Sequence, residues 1–217
     1  MVDACAIPRL LLIADRFSLP ERAEHVVECV RAGVPWVQLR DHGTGADLFE
    51  ESALLLSDLL RAENPDVLIS VNSHVHVAAS LGSGTGRPAG VHVGRRGPAV
   101  SEVRSRLRAD TPVGKSVQEL VEIQRSGADY FVWSPVFETQ SKPGHPGTGL
   151  DALRSARKKA GKTPVLALGG ITPRRTAACL EVGAHGVAVL SGLMLANDAA
   201  RAVQEYLNAI QESVPVP

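Results

Sequence analysis

The chain has 217 residues, with 23 lysines and arginines set against 23 aspartates and glutamates. That length builds one sizeable core and is short for two ordinary domains, and the even charge, with no long block of either sign, excludes the footprint of a nucleic-acid binder or a polybasic membrane anchor. The expected partner is a small molecule, with self-association as a possible addition. Cys5, Cys29 and Cys179 are widely spaced and odd in number, which excludes a disulfide framework or a zinc cluster and fits a reducing cytoplasm. No apolar run reaches the roughly 18 residues a membrane-spanning helix needs, and the N-terminus lacks the pattern of an export signal. No membrane partner and a cytoplasmic location are therefore expected.

Short apolar, β-branched runs alternate with helix-period stretches along the whole chain. The spacing predicts strands at 10–15, 36–40, 67–71, 89–93, 112–117, 128–136, 164–169 and 186–191. Between them, Leu48, Leu55, Leu56 and Leu59 recur at helical spacing, as do Val117, Leu120, Val121 and Gln124, and each set is expected to cover the sheet. Pro20 and the pair Thr172-Pro173 read as helix starts, while Gly33, Gly127 and Gly183 stand where a left-handed residue closes a helix. Residues 81–90 read as a surface loop and 212–217 as a flexible tail. Eight βα units without an early GxGxxG favour a closed (β/α)₈ TIM barrel over an open doubly wound sheet, as one domain over 1–217.

In such a barrel the ligand lies beyond the carboxyl ends of the strands. "ALGGIT" and "VAVLSG" close the last two strands with small residues, and Gly169, Gly170, Ser191 and Gly192 form a candidate nest for phosphate oxygens. The 134–149 loop carries Thr139 and Ser141 beside Lys142, with two Pro-Gly pairs that suit a lid. "VQLRD" puts Gln38 and Arg40 on one face of the second strand, and a buried Arg40 requires an anionic partner, either Asp15 or a ligand. "GKSVQE" ends the fifth strand with Lys115, Ser116 and Gln118; the last can hold a ligand but cannot exchange a proton. His74 and His76, two apart, are a poor metal pair. His42 and His92 are better placed for acid–base work.

The set "VQLRD", "VNS", "GVHVGR", "GKSV", "GADYFVWSPVFET…SKPG", "LALGGITP" and "GAHGVAVLSGL" resembles the thiamin phosphate synthase and TenI family over nearly the whole chain. The resemblance implies a barrel acting on a thiazole phosphate. In the synthase branch this compound attacks a pyrimidine diphosphate with magnesium-assisted loss of pyrophosphate; in the TenI branch a thiazole phosphate carboxylate is tautomerised without metal. The positions matching the synthase's magnesium carboxylates are Ser73, after Asn72, and Gly97; a basic residue of the pyrimidine site is His42, and a threonine before the first strand's aspartate is Ala14. "VFET" and "VLSGL" lean towards TenI, yet its acid/base histidine is Gln118 here.

The expectation from the match is a TenI-like isomerase with no cofactor. Gly169, Gly170, Leu190 and Ser191 would hold the phosphate, and Gln38, Arg40, Asn72, Ser116, Gln118, Thr139, Ser141 and Lys142 the rest of the ligand. His42, His92 and Glu138 are the candidate acid/base residues. The alternatives are a thiamin phosphate synthase, with magnesium on Asp41 or Glu138, and a non-catalytic binding or regulatory protein.

Overall fold

The computed structural model describes residues 7–82, 88–124, 126–140, 144 and 146–213. Its eight strands are β1 (Leu10–Asp15), β2 (Trp36–Arg40), β3 (Leu68–Asn72), β4 (Gly90–Val93), β5 (Val113–Val117), β6 (Tyr130–Trp133), β7 (Val165–Leu168) and β8 (Gly186–Val189). All pair in parallel with their sequence neighbours, and β8 returns to β1 to close the barrel. The helices between them are α1 (Pro20–Arg31), α2 (Ala46–Glu63), α3 (Val75–Leu81), α4 (Val100–Arg104), α5 (Leu120–Gln124), α6 (Gly149–Ala160) and α7 (Pro173–Glu181), with α8 (Ser191–Met194) and α9 (Ala199–Glu212) sharing the last unit. None of these helices is long and apolar enough to cross a membrane.

Alternation along the strands divides the apolar side chains into two cores. Outward residues such as Leu12, Val37, Val91 and Val187 pack beneath the helices with Phe49, Leu153 and Val203. Inward residues fill the barrel itself: Leu11, Ile13, Trp36, Leu68, Tyr130, Val132, Leu166 and Ala188. Trp36 and Tyr130 meet edge to face at 4.7 Å between ring centres and plug the floor. Two residues further along the same faces the inward set turns polar, with Gln38, Ser70, His92 and Ser116. The barrel is thus dry below and hydrogen-bonding above, and this gradient positions the site.

Helix punctuation follows the residues. The hydroxyl of Thr172 accepts from the Arg175 amide ahead of Pro173, and Gly33, Gly127 and Gly183 all have positive φ. The strand expectations hold in number and order, but 128–136 shortens to Tyr130–Trp133 and 186–191 to Gly186–Val189, because Ser191 opens α8. The 81–90 reading needs correction. Leu81 still belongs to α3, Pro88 and Ala89 are buried, Gly90 begins β4, and 83–87 lie outside the described residues. In the 212–217 tail, Glu212 is still helical and 214–217 fall outside them. The leucine stripe expected on α2 holds at Leu56 and needs correction at its other three positions. Phe49, Ala53, Leu56 and Leu60 face the core, while Leu48, Leu55 and Leu59 are 53%, 64% and 46% exposed. Cys29 and Cys179 are buried free thiols, pushed up to about 12 in pKa chiefly by burial; Cys5 is outside the described residues.

Candidate functional site

Two adjoining cavities open at the carboxyl ends of the strands. The smaller, about 130 Å³, is lined by Ser134, Thr139, the run Leu168–Ile171 and the run Ala188–Gly192, with Ile13 and Arg40 at its inner side. It gathers all four expected phosphate residues. Gly169 and Gly170 turn the chain with φ of 100° and 63°, a region that side-chain-bearing residues enter only at a cost. Close packing demands glycine as well, since a β-carbon on Gly169 would lie 2.6 Å from Pro135 Cβ and one on Gly170 2.4 Å from the Glu138 carbonyl oxygen. Across the cup, the first amides of the Ser191 turn have no acceptor within their own helix. Small residues and free amides are what a phosphate needs.

One buried phenol ties the two walls of this cup together. Tyr206 of α9 donates to the Ile171 carbonyl at 2.9 Å, and its oxygen would lie 2.2 Å from a β-carbon on Gly192. Arg175 donates to the Gly170 carbonyl at 2.8 Å and lies over the Phe137 ring at 4.6 Å, bracing the β7 turn from outside. Sequence reasoning missed both residues. Their only signal was an N-cap at Thr172 and an aromatic in the last amphipathic helix.

The larger cavity, about 550 Å³, shares Ile13, Arg40, Ser134 and Leu168 with the cup and extends across β2 to β5, past Gln38, His42, Asn72, Ser73, His92, the segment Gly94–Gly97, Ser116 and Gln118. Gln38 is 3% exposed, and its side-chain Nε2 has no hydrogen-bond partner. A buried amide donor without a partner is expensive, and here it lies on the cavity wall where a ligand would satisfy it. Arg40 donates from Nε and Nη2 to Asp15 Oδ1 at 3.1 and 3.0 Å, so the carboxylate partner weighed from the sequence exists, and the guanidinium still lines both cavities. Thr139 stands in the cup. Ser141 and Lys142 lie outside the described residues.

His92 reaches the cavity from β4, but as a fixed neutral ring. Its Nε2 is 2.8 Å from Ser116 Oγ and its Nδ1 3.2 Å from Tyr130 Oη. Burial first, and then the charge of Arg40, hold its pKa down at about 3. It orients Ser116 and is a poor proton carrier near neutrality. Of the other acid/base candidates, His42 lies exposed at the cavity edge, while Glu138 is exposed and lines neither cavity. Gln118 accepts from Arg95 Nη1 at 2.6 Å.

The donor set does not fit a magnesium ion. No carboxylate lines either cavity among the described residues, and no cluster of three His, Cys, Asp or Glu side chains suited to a metal occurs among them. Ser73 supplies only a hydroxyl, which accepts from Asn72 Nδ2 at 3.3 Å. At Gly97 a β-carbon would come 2.8 Å from Val93 Cγ1 and 3.1 Å from the Gly94 carbonyl oxygen, so a side chain there requires the segment to shift. The substitute ligands suggested by the sequence are not brought together. Asp41 is 5% exposed and is used by the Ser18 hydroxyl at 2.8 Å and the Gly43 amide at 3.1 Å. Burial raises its proton affinity, and these hydrogen bonds with that of Thr44 more than reverse this, leaving the carboxyl below its ordinary range.

A closed parallel barrel with a glycine-lined cup after its seventh and eighth strands places the protein in the class of (β/α)₈ barrels, in which that position is a frequent phosphate site. Within that class, the family described as thiamine monophosphate synthase matches residues 10–193, and the chain belongs to it. A thiamine-phosphate synthase of Syntrophomonas wolfei subsp. wolfei is 36% identical over 195 residues, spanning 87% of this chain and 90% of that protein. One of Albidiferax ferrireducens is 34% identical over 211 residues, spanning 93% of each. The structure of a thiamine phosphate pyrophosphorylase from Pyrococcus furiosus superposes with a TM-score of 0.80 at 29% identity, covering 95% of this chain and 96% of that one. These relatives carry the synthase name and not that of the isomerase branch, so they favour the alternative over the TenI-like expectation.

Proposed function

We propose that the protein is a transferase of the thiamin phosphate synthase type, joining a thiazole phosphate to a pyrimidine that carries a methyl diphosphate. The observation that carries this reading is the pair of cavities meeting at Arg40, Ser134, Ile13 and Leu168. A coupling reaction needs room for two substrates on either side of one reacting centre, whereas a tautomerase holds one substrate beside a proton shuttle. In the proposed reaction the thiazole nitrogen forms a bond to the pyrimidine methylene, the carbon–oxygen bond to the diphosphate breaks, and its electron pair leaves with pyrophosphate. No proton is transferred at the reacting centre, which suits a cavity lined by Gln118 and a neutral His92.

In this reading Gly169, Gly170, Leu190 and Ser191 hold the thiazole phosphate, with Thr139 closing over it. Gln38, Asn72, Ser116 and Gln118 present hydrogen-bonding groups to the pyrimidine and its diphosphate. The name of the curated relatives supports the same branch. The test is incubation with both substrates and chromatographic detection of thiamin phosphate and pyrophosphate in equal amounts. Absence of product, together with an ultraviolet change when thiazole phosphate carboxylate is supplied instead, would overturn the reading in favour of the isomerase.

A further inference from the structure

The larger cavity has charged groups of one sign only. Arg40, Arg95 and Arg96 line it, His42 stands at its edge, and no aspartate or glutamate lines it among the described residues. The three arginines differ in what they have left to offer. Arg40 is paired with Asp15. Arg95 is held by Glu119, by Glu122 at 2.7 Å and by Gln118 at 2.6 Å, and the remaining Glu122 oxygen accepts from the Gln118 and Glu119 amides. Both glutamates are thus engaged with Arg95, and neither lines the cavity. Arg96 is exposed and has no hydrogen bond or ion pair to another described residue. It immediately precedes Gly97, in the tight turn closed by the Gly97 amide on the Gly94 carbonyl at 2.9 Å.

A second feature of the same wall points to a ligand. Gln38 Nε2 is an unpartnered donor on a side chain 3% exposed. With the donors of Asn72, Ser73 and Ser116 and the uncompensated charge of Arg96, the wall offers hydrogen-bond donors and positive charge and no fixed anion. A divalent cation needs the opposite arrangement, hard oxygen ligands carrying negative charge. A polyanion needs this one.

We propose that this cavity binds a diphosphate group without a divalent cation, with the Arg96 guanidinium meeting the charge that a metal ion would otherwise meet. The proposal rests on the synthase reading for the identity of the diphosphate, but its binding test stands alone. Arginine suits the task because it remains cationic at any working pH and presents a planar set of donors to phosphate oxygens. Positive charge at this point also stabilises the leaving group as the carbon–oxygen bond breaks.

The probe is inorganic pyrophosphate, titrated by calorimetry into the full chain in EDTA and, separately, in excess magnesium. Binding in EDTA is expected, and Arg96→Gln is expected to weaken it by about tenfold or more, the loss of one charge-assisted contact. Arg96→Lys should recover part of that loss. The melting temperature of Arg96→Gln should equal that of the parent, since the side chain has no partner to lose. Binding that appears only with magnesium overturns the proposal, as does no binding in either buffer. Equal affinity in Arg96→Gln also overturns it, including the case in which pyrophosphate sits in the smaller cup and responds to Gly170→Ala instead. The coupling assay separates the two claims. Thiamin phosphate formed only after magnesium is added keeps the synthase reading and ends this one; metal-free pyrophosphate binding with no product from either buffer does the reverse.

Discussion

Gln38 and Arg40 lie two residues apart on β2 and reach the same space, yet their situations differ. Arg40 found its counter-ion in Asp15, while the Gln38 amide was left with an unsatisfied donor. A side chain kept in that condition costs stability in the free protein and gains it back on binding. Gln38→Met should therefore hold or raise the melting temperature, while pyrophosphate or substrate affinity measured by calorimetry falls about tenfold. Alternation along "VQLRD" was enough to read that both residues face the barrel mouth. Which of the two was already paired was not legible, because Asp15 is 25 positions away and its distance depends on the β1–β2 register. His92 was legible as a residue near the end of the fourth strand and illegible as a neutral ring, since Tyr130 and Ser116 come from two other strands.

At the scale of elements, the cup is two turns braced by a third element. Tyr206 donates to the Ile171 carbonyl and packs against Gly192, with a pKa pushed up to about 12, mainly by burial. Tyr206→Phe leaves the ring in place and removes one buried hydrogen bond, so it should cost about 1 kcal/mol in denaturant unfolding. It should also weaken thiazole phosphate binding, read as a smaller ligand-induced thermal shift. Were the thermal shift unchanged, the phenol would be a packing residue only. The glycines of the cup were readable, because small residues at two successive strand ends have few other uses. Helix α2 shows where pattern fails. Its leucines support two stripes of equally good helical spacing, and of the expected set Leu48, Leu55, Leu56 and Leu59 only Leu56 lies on the buried one. The contact of Phe49 with Phe17, 5.0 Å between ring centres and nearly perpendicular, selects the other face. Leu56→Ala should accordingly cost about 2–5 kcal/mol, whereas Leu55→Ala should stay within about 0.5 kcal/mol.

The whole molecule depends on closing β8 onto β1. Gly186 begins β8 with the Arg9 carbonyl oxygen 2.1 Å from where a β-carbon would stand, and the Val187 amide donates to that same oxygen at 2.8 Å. Gly186→Val should cost about 3 kcal/mol or more, because backbone cannot give way as a side chain can; soluble protein with an unchanged unfolding curve would show that the seam yields. Stability should also depend on pH through the buried ring of His92. That ring titrates at 6.5 when exposed and at about 3 in the fold, so between these values the unfolded chain holds the extra proton. Its contribution is whole above pH 6.5 and drains away as the pH falls towards 3. Burial lowers His74 and His185 in the same direction, so the measurement is the difference in slope of unfolding free energy against pH between the parent and His92→Asn, expected to approach one proton near pH 5. By itself, the sequence determined eight alternating units, their parallel order, the small-residue turns after the last two strands and the family, because each of these is written in short-range periodicity or in contiguous residues. Only the tertiary structure decided the buried face of α2, the neutral state of His92, the bracing by Tyr206 and the one-signed wall around Arg96. Each of these depends on which distant strands the closed barrel brings side by side, and local pattern does not carry that distance.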